Sequence, residues 1–302
     1  MNKTIVNILP TGLRSYLGFK GEGSAVALEE YNEVEEIRLR AGRPAILYLG
    51  RRLGEIHTDY VVSASDLQEA LEYITGFSLY AYESEIREGF ITIKEGHRIG
   101  VAGKVICQEG KITTISPISS INIRISHEVI GCSEGVMPYI MEGDKYLNTL
   151  IISPPGVGKT TLLRDMVRNL SDTYKLKVAI VDERSEIASC YRGVPQCDVG
   201  IRSDIYDCCH KVDGIMLMIR AMSPEVVAVD ELGGEADMAA LAEASRCGCK
   251  ILATAHGQSV EQLAYSYVIK EKTLDIFDRF IVLNNNGDRR VEVYDRQLRK
   301  IV

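Results

Sequence analysis

The fold of this chain is decided by the stretch Ser153-Pro154-Pro155-Gly156-Val157-Gly158-Lys159-Thr160-Thr161. An apolar run from Leu147 to Ile152 precedes it, which predicts a short buried strand. It is followed by Leu162-Leu163-Arg164-Asp165-Met166-Val167, in which apolar and charged side chains are spaced as in an amphipathic helix. The sequence therefore predicts a strand, a glycine-bearing turn and a helix in direct succession.

This succession is the arrangement that binds a phosphate group. Glycine lets backbone N–H groups turn inward without a clash of Cβ atoms, and the helix directs the positive end of its dipole at the anion. In a P-loop the lysine reaches the β- and γ-phosphates of a nucleotide, and the next hydroxyl binds Mg²⁺. We therefore predict that residues 153–161 bind ATP, with Lys159 on the phosphates and Thr160 on the metal ion.

One residue departs from the P-loop pattern, which asks for glycine at the position of Ser153. Serine is small and fits there if its φ angle is negative, so we expect the difference to be tolerated. The alternative is an ordinary glycine- and proline-rich turn in which Gly-Lys-Thr occurs by chance. The strand before the turn and the helix after it disfavour this alternative.

Three further apolar strands are predicted after the P-loop helix, and each ends in acidic or histidine residues. Strands that alternate with helices, such as the predicted helix from Glu235 to Arg246, imply right-handed crossovers and a parallel sheet. Ligands bind at the carboxyl ends of strands in such sheets, so these polar residues should lie near Lys159. Asn286-Gly287, between two apolar runs, predicts a hairpin that closes the sheet edge. The strands and the residues that follow them are Leu176–Val181 with Asp182 and Glu183, Val226–Val229 with Asp230 and Glu231, and Lys250–Ala255 with His256.

These polar residues fit the needs of phosphoryl transfer, which are Mg²⁺, compensation of negative charge and an oriented water. Asp230 is predicted to be the Walker B carboxylate that holds the Mg²⁺ shell. Either Glu231 or Glu183 can orient or deprotonate the attacking water, and His256 can donate a hydrogen bond to the γ-phosphate. The alternatives are that the Asp-Glu pair caps the next helix and that His256 is an ordinary structural histidine.

The N-terminal half predicts an α+β domain with a largely antiparallel sheet. A capping box at Ser65-Asp66-Leu67-Gln68 opens a helix, and a hairpin turns at Glu95-Gly96. Glycines at 131, 135 and 143 then interrupt the strand and helix patterns. We therefore place the α+β domain at 1–143 and a RecA-like P-loop domain with a mainly parallel sheet at 144–302. The predicted strands of the first domain are Glu35–Arg40, Ala45–Leu49, Phe90–Ile93, His97–Gly103, Lys111–Ile115 and Ile121–Ile125.

Composition limits the class of protein. The 302 residues suffice for two domains, and 46% apolar and 25% charged residues are ordinary for a globular chain. The net charge of −7 disfavours a protein that coats nucleic acid. No apolar run approaches the roughly 18 residues of a membrane span, so we expect a cytoplasmic protein, with a peripheral membrane role left open. The cysteines should be reduced thiols, since neither Cys208-Cys209-His210 nor Cys247-Gly248-Cys249 has the spacing of a zinc site.

Arginines recur at predicted strand and turn positions. An arginine can clamp phosphate oxygens of its own or a neighbouring subunit, or it can form a weak ion pair on a solvated face. The sequence does not decide between these two roles. The candidates are Arg38, Arg40, Arg43, Arg98 and Arg124 in the first half and Arg192, Arg202 and Arg220 in the second.

Four stretches resemble the motifs of the secretion-type RecA-like ATPases, which drive type II and type IV secretion and pilus dynamics. They occur in that family's order, as a Walker A motif, an acidic box, a Walker B strand and a histidine box. The resemblance implies ATP hydrolysis with Mg²⁺, and either Asp182 or Glu183 aligns with the catalytic glutamate of the acidic box. The stretches are Ser153–Thr161, Val181-Asp182-Glu183, Val229-Asp230-Glu231 and Ala253-Thr254-Ala255-His256.

Further stretches, from about residue 33 to about residue 260, resemble the stage III sporulation proteins of that family. This resemblance implies a mother-cell ATPase that forms a homo-oligomeric ring and acts with the membrane-embedded proteins of the channel to the forespore. The stretches are Glu36–Arg40 with Gly42-Arg43-Pro44, Gly96–Gly103, Ile121–Ile125, Arg192–Gln196 and Met222–Val226.

Three functions fit these motifs. The first is a motor ATPase that hydrolyses ATP at a subunit interface and works on a membrane-embedded channel or secretion partner. The second is a RecA-like ATPase that acts on nucleic acid, which the acidic charge and the absence of tryptophan disfavour. The third is an adaptor that binds ATP with little turnover, which the full set of strand-end carboxylates disfavours.

Overall fold

The chain forms two compact units in the computed structural model, Met1–His127 and Glu128–Val302. No helix among the described residues is long and apolar enough to cross a bilayer. The residues that the structure describes are 3–18, 33–50, 53–260, 262, 275–286 and 288–302.

Residues 128–143 fall in the second unit, whereas the sequence pattern places them in the first domain. Their contacts explain the placement. The buried carboxylate of Asp165 accepts hydrogen bonds from the backbone N–H groups of Gly131 and Ser133, at 3.0 and 2.7 Å. The Ser133 hydroxyl donates to the same carboxylate at 2.7 Å. Most of these donors are backbone groups, which every residue has. The side chains of the segment therefore form no sequence pattern that predicts its contact with Asp165.

The first unit is an α+β structure with an antiparallel sheet, as predicted. Its helices are α1 (Lys3–Ile8), α2 (Thr11–Tyr16), α3 (Ala64–Thr75) and α4 (Glu83–Glu88). Its strands are β1 (Glu36–Arg40), β2 (Pro44–Tyr48), β3 (Glu55–Val61), β4 (Phe90–Thr92), β5 (Arg98–Gln108) and β6 (Lys111–Arg124). They pair in the order β3-β2-β1-β6-β5-β4. The two strands predicted at 111–115 and 121–125 are one long strand, β6.

The helix predicted near residue 65 begins at a capping box that lies two residues earlier than expected. The backbone N–H of Asp66 donates to the Ser63 hydroxyl at 3.1 Å, and the Ser63 N–H donates to the Asp66 carboxylate at 2.8 Å. The cap is therefore Ser63, not Ser65. Asp66 accepts the hydrogen bond from the backbone N–H of the cap residue, a role that the sequence pattern gave to Gln68. Both carboxylates and amides can accept this bond.

The second unit contains a mainly parallel sheet of the RecA-like type, which confirms the predicted fold class. Its helices are α5 (Met137–Ile140), α6 (Lys159–Asp172), α7 (Lys211–Met222) and α8 (Glu235–Arg246). Its strands are β7 (Met141–Glu142), β8 (Lys145–Tyr146), β9 (Thr149–Ser153), β10 (Val178–Asp182), β11 (Ser203–Asp207), β12 (Val226–Val229), β13 (Lys250–His256), β14 (Arg279–Asn286) and β15 (Asp288–Asp295). The large sheet has the order β11-β10-β12-β13-β9-β14-β15.

The C-terminal strands pair as the predicted hairpin. Phe280 lies opposite Tyr294, and the register continues to Asn286 opposite Asp288. β15 runs antiparallel to β14, while β14 runs parallel to β9. Gly287, on which the turn prediction rested, lies outside the described residues.

Alternate side chains of the parallel strands enter two separate cores, one on each face of the sheet. Leu150 and Ile152 of β9 pack in the core that α7 and α8 cover, and Ile151 packs in the core that α6 covers. Burial on both faces explains why these strands are continuously apolar. The register pairs His256 with Ser153, so the carboxyl ends of β13 and β9 lie side by side. Those of β10 and β12 continue the same edge of the sheet.

Candidate functional site

The loop from Ser153 to Gly158 joins β9 to α6. Gly156 has a φ of 71° and Gly158 a φ of 100°, values that favour glycine over residues with a Cβ atom. Ser153 is fully buried, its φ lies outside the left-handed region, and its hydroxyl donates to the Pro154 carbonyl at 2.9 Å. Serine therefore fits at the position where the P-loop pattern asks for glycine. Gly158 is the N-cap of α6, and the N-terminus of a helix can bind an anion through its backbone N–H groups.

Lys159 and His256 meet at the carboxyl edge of the sheet although they lie far apart in the sequence. Lys159 is 7% exposed, and its Nζ atom is 3.3 Å from Nδ1 of His256. Burial lowers the pKa of Lys159, and the nearby carboxylates of Asp230 and Glu231 oppose this effect. A phosphate group at this position would provide the charge partner that the buried ammonium needs.

The side-chain oxygens of Thr160 and Asp230 are in contact, and Thr160 is the next residue after Lys159. The Thr160 hydroxyl donates to Oδ2 of Asp230 at 2.8 Å, and the Thr254 hydroxyl donates to Oδ1. Among the described residues, no group of three or more His, Cys, Asp or Glu side chains is placed to hold a metal ion. This pair fits Mg²⁺, because Mg²⁺ prefers hard oxygen ligands and usually takes one or two from protein and the rest from phosphate and water.

Glu231 lies between a histidine and an arginine. Its Oε1 is 3.1 Å from Nε2 of His256, and its Oε2 accepts from Nη1 of Arg184 at 3.1 Å. Its backbone has a φ of 48°, a left-handed value that costs a non-glycine residue about 1–3 kcal/mol. The Glu231 N–H donates to the Thr254 hydroxyl at 2.8 Å, which fixes this conformation. Such strained backbone is concentrated at functional sites.

Asp182, one of the predicted catalytic residues, has a carboxylate that is engaged by the backbone. It is 1% exposed and accepts from the N–H groups of Glu186, Ile187 and Ala188 at 2.8–2.9 Å. Burial raises the pKa of Asp182 to about 6 in spite of these bonds. The carboxylate therefore anchors the loop that follows β10, a contact that favours a structural role over a catalytic one.

We expect Asp182→Ala to lower the free energy of unfolding by about 2–4 kcal/mol, since three N–H groups, two of them in buried hydrogen bonds, lose their acceptor. The pKa of Asp182 is higher in the folded chain than the roughly 3.9 of an unfolded aspartate. The stabilisation that Asp182 provides should therefore shrink as the pH rises from about 4 to about 6. Denaturant titrations of both proteins across this pH range measure it. Equal stability of the two proteins would contradict the anchoring role.

Glu183, the other predicted acidic-box residue, is held by a lysine and a histidine. It pairs with the ammonium of Lys211 and lies 2.8 Å from Nδ1 of His210. Burial on its own would raise the pKa of Glu183, but hydrogen bonds from Lys211 and His210 outweigh burial and lower it. Glu183 is thus an ionised, firmly oriented carboxylate at the edge of the candidate site.

A cavity of about 250 Å³ lies at these strand ends. Five of the residues that line it, among them Arg184 and Lys211, are not among the site residues predicted from the sequence. Arg184 stands in the predicted strand-end segment, so its position was a usable signal. Lys211 begins α7, and only tertiary packing brings it to the cavity. The lining residues are Asp182, Glu183, Arg184, Glu186, Lys211, Asp230, Glu231, Gly233 and Asp237.

Two of the arginines that were candidates for either role have contacts elsewhere in the second unit. Arg202 donates from Nη1 to the Ser171 carbonyl at 3.2 Å, and the Arg192 guanidinium lies 5.3 Å from the centre of the Tyr191 ring. In the first unit, Arg38 and Arg124 both pair with Glu36. Ile37 and Leu39, the residues on either side of Arg38 in β1, are buried on the other face of the sheet.

The chain is similar to known proteins over nearly its whole length. The family model described as "Sporulation stage III, protein AA" matches residues 1–301. The chain is 40% identical over 300 residues to the stage III sporulation protein AA of Bacillus subtilis (strain 168), and the match covers 97% of this chain and 94% of that protein.

Solved structures show the same fold at low sequence identity. The Legionella pneumophila ATPase DotB superposes with a TM-score of 0.59 at 17% identity, over 88% of this chain and 78% of DotB. The pilus retraction motor PilT with bound ADP gives a TM-score of 0.59 at 13% identity, over 86% of this chain and 78% of PilT. These likenesses show that the chain shares the fold of DotB and PilT.

Proposed function

The chain belongs to the sporulation stage III protein AA family, and we propose that it is the ATP-hydrolysing motor of a secretion-type membrane channel between mother cell and forespore. Its fold is that of DotB, an ATPase, and of PilT, a pilus retraction motor. The chain would act from the cytoplasmic side on membrane-embedded channel proteins, as a homo-oligomeric ring.

One observation carries the proposal. Two contacts that join distant parts of the chain lie side by side at one edge of the sheet: Lys159 with His256 at 3.3 Å, and Thr160 with Asp230 at 2.8 Å. The cleavage of a terminal phosphate needs compensation of negative charge and a bound Mg²⁺. The lysine and the histidine suit the first need, and the oxygens of Thr160 and Asp230 suit the second. If Gly-Lys-Thr occurred here by chance, nothing would favour the placement of His256 and Asp230 beside Lys159 and Thr160.

Each residue has a stated part in the proposed reaction. The loop N–H groups and Lys159 bind the β- and γ-phosphates of ATP. Thr160 and Asp230 would hold Mg²⁺, which supplies compensation of negative charge on the phosphate oxygens. Glu231 orients the attacking water as a hydrogen-bond acceptor, and His256 donates a hydrogen bond to the γ-phosphate.

Glu231 is favoured over the two acidic-box residues as the water-orienting group. It shares a contact with His256, which in turn touches Lys159. Glu183 is bound to Lys211 and His210, and Asp182 is bound to the backbone. A carboxylate that must accept a proton or a hydrogen bond from water needs an oxygen directed at the phosphate site.

The experiment that tests the motor proposal measures ATPase activity and molecular mass together over a range of protein concentrations. Turnover per chain should rise in parallel with assembly, because at a subunit interface an arginine of the neighbouring subunit would complete the charge compensation. Full turnover by a monomer would contradict the ring. Stimulation by single-stranded DNA that weakens with salt would favour the nucleic-acid alternative instead.

A further inference from the structure

Charge in the cavity at the strand ends is unevenly balanced. Among the described residues that line it, six are carboxylates and two are cations, Arg184 and Lys211. The Lys211 side chain is 9% exposed and is paired with Glu183. Because a buried ammonium that leaves its carboxylate loses a strong electrostatic partner, Lys211 is committed to Glu183. Arg184 is therefore the cation of this cavity that can change partners.

Arg184 is held by a weak contact. Its side chain is 62% exposed, and one nitrogen, Nη1, lies 3.1 Å from Oε2 of Glu231. A guanidinium carries five N–H donors, and exposed ion pairs of this kind contribute about 0–1 kcal/mol. A phosphate group offers paired oxygens that match the arginine fork and form stronger, charge-assisted hydrogen bonds. Exchange of Glu231 for a phosphate would thus be favourable.

Arg184 also lies within electrostatic reach of Lys159. Burial is the largest cause that lowers the pKa of Lys159, and the positive charge of Arg184 adds to this lowering. Between the two cations runs a chain of contacts through His256 and Glu231, at 3.3 Å from Lys159 to His256 and 3.1 Å at the next two steps. Two cations within electrostatic reach of each other are suited to bind a doubly charged anion.

We propose that Arg184 leaves Glu231 when a nucleoside triphosphate binds and takes an oxygen of its γ-phosphate, which frees Glu231 to orient the attacking water. This inference rests on the proposed ATPase function. The γ-phosphate is the target, not the β-phosphate, because the water that Glu231 orients must lie in line beyond the transferred group. Arg184 therefore distinguishes a triphosphate from a diphosphate within one subunit.

The test measures the dissociation constants of ADP and of a non-hydrolysable ATP analogue, with Mg²⁺, for the full chain and for Arg184→Ala and Arg184→Lys. For Arg184→Ala we expect the constant for the analogue to rise about 10- to 100-fold, as for the loss of hydrogen bonds to a charged group. The constant for ADP should stay within about twofold. Turnover should fall by about 10³-fold, as for an arginine finger. Arg184→Lys should lie between, since it keeps the charge and loses the fork.

The matched control is Arg246→Ala, which removes another exposed arginine paired with a glutamate, Glu243, at the end of α8. This variant should bind both nucleotides as the parent chain does. Equal weakening of ADP and the analogue by Arg184→Ala would overturn the inference, and so would unchanged affinity for both. If the parent chain binds and hydrolyses ATP in either case, the proposed function stands. Failure of the parent chain to bind either nucleotide overturns both.

Discussion

Lys159→Ala is expected to lower ATP turnover by at least about 10²–10³-fold and to weaken nucleotide binding about 10- to 100-fold. The ammonium is the charge at the P-loop that would contact both transferred and leaving phosphates. Loss of one well-placed donor to a developing charge costs about 10²–10³ in kcat, and hydrogen bonds to charged groups contribute about 1.5–3 kcal/mol in the ground state. Steady-state kinetics and a direct binding titration measure the two effects separately.

The same substitution should leave the fold intact. Burial lowers the pKa of Lys159, so the ionised ammonium costs free energy in the folded chain and its removal should not reduce the free energy of unfolding. Lys159→Met, which keeps most of the side-chain volume, serves as the matched variant. Undiminished turnover in either variant would contradict the P-loop assignment. Loss of turnover together with a large loss of stability would instead point to a structural lysine.

The sequence predicted the RecA-like sheet because its strands are buried on both faces. Val226–Val229 and the helix Glu235–Arg246 match the observed bounds, since four apolar residues before an acidic pair leave little choice. β11, Ser203–Asp207, was not predicted. It lies at the sheet edge, and all of its residues are partly exposed, so it lacks the apolar run that revealed the other strands.

At the candidate site, the sequence indicated strand ends that lie side by side in the structure, but it could not rank the carboxylates on them. Asp182 and Glu183 are neighbours in sequence with entirely different partners in the structure. The loop at 186–188 folds back so that its N–H groups meet Asp182, while α7 brings Lys211 to Glu183. Both contacts come from tertiary packing, which no local pattern records.

Glu231→Gln is expected to lower turnover by about 10²–10³-fold while triphosphate affinity stays within a few-fold of the parent chain. Glutamine keeps the size of the side chain and can still contact Arg184 and His256, but it is a far weaker proton acceptor than a carboxylate. A group that acts on the water contributes to the transition state and little to nucleotide binding, so kcat should fall without a matching rise in the dissociation constant.

Glu183→Gln is the matched comparison, because it makes the same chemical change on the neighbouring strand end. Its carboxylate is committed to Lys211 and His210, so we expect a decrease in turnover of about tenfold or less, from misplacement of the cavity wall. The two variants therefore separate the alternatives that the sequence left open. A larger decrease for Glu183→Gln would transfer the water-orienting role to Glu183. Parent-like function of both variants would favour an adaptor that binds ATP without using its hydrolysis, because neither carboxylate would then take part in a step the protein depends on.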